Sequence, residues 1–154
     1  MLGTRSTVML LLAATVLTAS IAKRRGDADA LIAARQAAFK LSGATFGSMK
    51  AAVDAGGDVK KLAFGAHALA EWAHAMPGLF PLGSDGGSTK ALPRVWAEPE
   101  GFAKAARLYE AEATKLAAIS QTGDQPGFAA QWSVVRGTCK ACHDIYHEPE
   151  APKK

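Results

Sequence analysis

Cys139-Lys140-Ala141-Cys142-His143 constrains this chain more than any other stretch. The spacing C-x-x-C-H is the attachment signature for c-type haem. On a helix, thiols three positions apart lie on one face, one above the other. Each can add to one vinyl group of the same porphyrin and form a thioether. His143 follows directly, and its imidazole can then reach the iron as an axial ligand. Cys139 and Cys142 are the only cysteines in the chain, so haem attachment would use both and a disulfide-rich scaffold is excluded.

Three plainer readings compete with haem. A thioredoxin-like pair needs a strand–helix–strand setting, and no stretch here reads as a strand. A zinc site could draw on Cys139, Cys142, His143 and His147, but structural zinc sites usually take ligand pairs from separate elements. An ordinary pair of buried cysteines needs no histidine beside it. The haem reading is therefore favoured, with a single covalently attached haem c as the expected cofactor.

The motif continues a helical stripe. Phe128, Trp132, Val135, Cys139, Cys142 and Tyr146 alternate in steps of four and three, which puts both cysteines on the core face of a last helix running from Asp124, its cap, to about His147. Haem on that face would be buried between helices. Three earlier stretches hold a period of seven. Ile32, Phe39, Phe46 and Val53 mark a helix from about Asp27, a candidate cap, to Ala55, ended by Gly56-Gly57. Leu62, Leu69 and Met76, with Phe64 and Trp72 nearby, mark a second helix capped by Asp58 and closed by Pro77. Phe102, Tyr109 and Leu116 mark a third, from about Pro99 to Ser120. Residues 77–97 form one long irregular stretch. Four amphipathic helices with one long connection predict an all-α fold, an antiparallel four-helix bundle with covalent haem near the C-terminal helix. His67 and His74 lie well off the second stripe and read as exposed.

Residues 1–22 read as a signal peptide. Arg5 precedes the apolar run Val8–Ala22, and Ser20 and Ala22 offer small residues for cleavage after Ala22. The run is short for a membrane span, which needs about 20 residues. Lys23-Arg24-Arg25 follows at once and opposes export, so an uncleaved anchor is the alternative. Residues 23–154 then form one domain, expected in the periplasm, where bacteria attach covalent haem. The formal charge of +4 comes partly from Lys23-Arg24-Arg25 and Lys153-Lys154, which read as solvated tails. No basic stripe interleaved with aromatics points to nucleic acid.

This arrangement resembles the cytochrome c-prime family, the class II c-type cytochromes, over essentially all of residues 23–154. Most c-type cytochromes carry the haem motif near the N-terminus; this family carries it near the C-terminus, on the last helix of a bundle. Arg35-Gln36 matches the family's Arg-Gln pair, and Phe46-Gly47 matches an aromatic–glycine step on the same helix. Thr89-Lys90-Ala91-Leu92-Pro93-Arg94-Val95-Trp96 resembles the family's loop before the third helix. The resemblance implies that Arg35 and Gln36 lie beside the haem propionates and that Thr89 approaches the haem. It also implies a homodimer through the first two helices.

The resemblance places Phe39 on the distal haem face, opposite His143. Low-spin relatives have Met there, and phenylalanine has no lone pair to offer. The expected iron is five-coordinate and high-spin, crowded by the Phe39 ring, and suited to small diatomic gases such as NO and CO. Gly43 and Gly47 share that helix face, where close approach of a helix or of the porphyrin would account for them. Four residues after the axial histidine the family often has Arg or Lys, and this chain has His147. The alternative function is electron transfer between periplasmic redox partners. No distal His or Arg is present to cleave an O–O bond, so the chain is not expected to be an enzyme.

Overall fold

The computed structural model describes the backbone of residues 3–149 and the side chains of residues 24–149. The expected cleavage site, the anchor alternative and the tail Lys153-Lys154 lie outside the described side chains. Among the described residues there is no named strand, and no helix is long and apolar enough to cross a membrane.

The bundle is formed by α1 (Gly3–Asp54), α2 (Ala63–Ala75), α4 (Pro99–Thr122) and α5 (Gln125–Tyr146), with a short α3 (Arg94–Ala97) in the long connection. The expected start of helix one at Asp27 is corrected. α1 runs unbroken for 52 residues, so Asp27 caps nothing and Arg24 and Arg25 lie exposed along the helix. The stretch contains no proline and is rich in alanine, and Gly26 alone, at about 1 kcal/mol, does not stop a helix. α1 ends where expected: Gly56 takes φ +70° and Gly57 N–H donates to the Ala52 carbonyl at 2.8 Å.

Asp58 does cap the next element, its carboxylate accepting from Lys60 N–H at 2.9 Å. The first turn is 3₁₀ (Val59–Leu62) before α2 proper begins. Pro77 then opens a second 3₁₀ turn, Met76–Leu79. Phe64, near that stripe in sequence, stands 86% exposed and off the packed face. α4 starts on Pro99 and closes on Gly123 at φ +81°. Asp124 caps α5 through Gly127 N–H at 3.0 Å.

α2, α4 and α5 pack around Leu69, Leu116, Phe128 and Val135, all at most 2% exposed, and Met49 of α1 joins them. A second cluster of Met76, Val95, Phe102, Ala106 and Tyr146 fills the end of the bundle near the long connection. α1 meets α5 where Phe46 stacks on Trp132 at 4.3 Å and Trp132 Nε1 donates to the Phe46 carbonyl at 3.0 Å, and a cleft opens beside that contact.

Candidate haem site

α1 and α5 supply the long walls of a cleft of about 750 Å³, within the usual ~300–1,000 Å³ range of ligand sites. Cys139, Cys142 and His143 line one wall; Arg35, Gln36, Phe39 and Phe46 line the other, and Thr89 sits at the mouth. The heptad spacing on α1 and the alternating stripe on α5 carry these side chains to one place.

Both thiols are free and half-buried. Burial pushes the Cys139 thiol up, opposed in part by a hydrogen bond from Thr138, and lifts Cys142 to about 11, with the Cys139 thiol adding to the rise. Tyr109, on the same cleft, is raised by burial and by the Cys139 thiol beside it. His143 is exposed at the cleft edge, and the His147 ring stacks on it at 5.0 Å between centroids and 21° between planes.

The last helix ends at Tyr146 with His147 as its cap, in line with the expected end at about His147. His147 is extended (φ −124°, ψ 144°) and not helical. The cause is pairing with the long connection. Leu92 N–H donates to the Tyr146 carbonyl and Glu148 N–H to the Lys90 carbonyl, both at 2.9 Å. This short antiparallel bridge ties residues 90–92 to the chain just after His143.

Arg35 ties the same connection to α1. It is only 2% exposed. Its guanidinium donates to Ser84 Oγ and to the Ser84 carbonyl, both at 2.8 Å, to Thr89 Oγ1 at 2.5 Å and to the Leu79 carbonyl at 3.3 Å. It also lies 4.5 Å over the Phe80 ring. Burial lowers its pKa. None of these partners is a carboxylate, so among the described residues a buried cation on the cleft wall lacks an anion. Gln36 Nε2 donates to the Ser88 carbonyl at 2.8 Å.

Phe39 meets Trp72 edge-on at 5.0 Å and Phe80 at 6.4 Å. The sequence reading did not single out Trp72 for the site. Its Nε1 is buried with no hydrogen-bond partner among the described residues, an unmade bond worth about 1–3 kcal/mol. Met76 also reaches the cleft wall but is packed into the apolar cluster with Val95 and Phe102. Gly43 and Gly47 line the cleft, and a Cβ at either would meet nothing within 4 Å. No helix crowds them; the open space is the cleft itself. His67 and His74 are exposed, beside Glu71 at 3.3 Å and Glu110 at 3.1 Å.

These residues fit a haem. Two thiols and a histidine stand on one wall of a largely apolar cleft, a buried guanidinium without a carboxylate suits a propionate, and the glycines leave room for a flat group. A family model for cytochrome c' matches residues 30–147.

The chain belongs to the cytochrome c' family.

That family binds haem c. Cytochrome c' from Rhodospirillum rubrum is 35% identical over 79 residues, 51% of this chain and 54% of that protein. The chain thus spans about half the length of the curated relatives it matches. Solved structures align further. A cytochrome c' with ligand-controlled dimer dissociation superposes with a TM-score of 0.74 at 26% identity, covering 79% of this chain and 97% of the other. A nitric oxide complex of a mutant cytochrome c prime from Alcaligenes xylosoxidans gives 0.72 at 26% identity, covering 80% and 97%.

Proposed function

We propose that this member of the cytochrome c' family is a periplasmic haem protein that binds NO and CO at an open iron site. One haem c would be bound through Cys139 and Cys142 and ligated by His143. Bound there, the haem would supply an iron able to take a small diatomic. Arg35, with its terminal N–H groups committed to Leu79, Ser84 and Thr89, would place its positive charge beside the propionates, and Gln36 would lie next to them. The carrying observation is that the cleft wall opposite the cysteines presents Phe39, which cannot ligate a metal.

The chain's own groups suit gas binding over catalysis. Phe39, Trp72 and Phe80 make an apolar distal wall that limits ligand size. The solved NO complex of the Alcaligenes relative supports the choice of ligand. The exposed Leu41 on α1 (69%) lines a shallow apolar groove with Ala68 and Trp72 of α2, which supports a homodimer through these helices. Electron transfer remains the second reading, favoured by the openness of the cleft beside His143.

Phe39→Ala is expected to raise CO affinity about tenfold, or about 1.4 kcal/mol. Equilibrium CO titration of the reduced protein measures this. A change below about twofold would mean that Phe39 does not face the iron.

A further inference from the structure

The cleft lining carries four fixed cations, Arg35, Lys40, Lys90 and Arg136, and no aspartate or glutamate. Arg35 is buried; the other three are exposed at the rim. Lys40 stands on α1 and Arg136 on α5, so both long walls carry a cation. Neither forms an ion pair among the described residues, so what sets them apart from unpaired exposed lysines such as Lys61 and Lys104 is their place on the cleft lining. Lys90 is partly offset by Glu148 at 3.3 Å. Two haem propionates would offset two of the four cations and leave the rim positive. Exposed charges of one sign around an opening steer a partner of the opposite sign and fix its register more than they add raw affinity.

We propose that this rim docks an acidic protein that exchanges electrons with the haem. The inference rests on haem occupying the cleft, as proposed above. One electron would leave the partner's reduced centre and convert ferric to ferrous iron, with no bond made or broken. Ferrous iron is the form that takes CO, so CO binding needs an electron donor of some kind. A basic or neutral partner would gain nothing from Lys40 and Arg136.

The test uses the haem-loaded protein and flavodoxin, a strongly acidic one-electron carrier. Calorimetric titration of the oxidised pair reads docking. Stopped-flow mixing with flavodoxin hydroquinone reads electron transfer. Both are expected at an ionic strength of about 10 mM and to weaken at least tenfold, roughly, by about 300 mM. The double variant K40E/R136E should lose at least about tenfold in both readouts at low salt. The variant K61E/K104E makes the same change in net charge at exposed residues outside the cleft and should lose less than about threefold. The absorption spectrum of each variant is recorded first. Absence of haem from the parent protein would overturn the haem reading, and with it this one. With haem in place, three results would overturn docking alone: equal losses in both double variants, binding indifferent to salt, or capture by anionic phosphatidylglycerol vesicles in preference to flavodoxin.

Discussion

Replacing Cys139 and Cys142 together with alanine is expected to leave the chain with no covalently bound haem. Both thiols line the same cleft wall, and they are the only cysteines in the sequence. No other side chain can form a thioether. Each single variant retains one thiol and should keep a reduced fraction of haem attached through one bond. The readout is the mass of the denatured chain together with its haem absorbance after acid extraction. The double variant should run at the mass of the bare polypeptide. Haem that survives denaturation on that variant would refute the attachment. The effect is all-or-none because His143 alone offers only a reversible metal bond, and denaturation dissolves the site that holds it.

Arg35→Ala should have the largest effect on stability, about 2–4 kcal/mol. Four hydrogen bonds from one buried guanidinium hold Leu79, Ser84 and Thr89 against α1. Hydrogen bonds to charged groups are worth more than neutral ones, and truncation leaves buried acceptors unmatched. Ser84 Oγ keeps one bond, to the Pro81 carbonyl at 2.8 Å, so the loss is not complete. In a domain of this size the expected fall in Tm is roughly 5–15 °C. Amide exchange should quicken first over residues 79–92, because their anchor to α1 is gone. Arg35→Lys keeps the charge but not the planar fork, and should fall between the two. A Tm within about 1 °C of the parent would show that Arg35 does not organise the connection.

Much of the bundle was legible because its signals are local. The caps Asp58 and Asp124, the stop at Gly56, and the stripe through Trp132, Val135 and Cys139 each need only a few neighbouring residues to be read. The start of α1 was misread because a cap needs a boundary, and nothing around Asp27 breaks an alanine-rich helix. The end of α5 fell where expected, but the sequence did not show what lies beside it. A strand-like pairing between Ala91 and His147, 56 positions apart, pulls the chain out of the helix.

The site divides in the same way. C-x-x-C-H and residue 39 announce themselves by type and spacing. The bonds of Arg35 to Ser84 and Thr89 span 49 and 54 positions, so no local pattern carries them. Lys40, Lys90 and Arg136 look like scattered surface charges in the sequence, and only the fold gathers them around one opening. Trp72 was legible only as an aromatic near the second stripe, since the missing hydrogen bond of its buried Nε1 depends on what α1 and the long connection place beside it.

The most direct test of the open-site account is an absorption spectrum of the purified haem-loaded protein, oxidised, reduced, and reduced with NO. The account predicts a broad high-spin reduced spectrum that changes when NO is added. Sharp low-spin α and β bands indifferent to NO would contradict it. A sixth protein ligand would then be present, Met76 on the cleft wall would be the first residue to examine, and electron transfer would become the leading function.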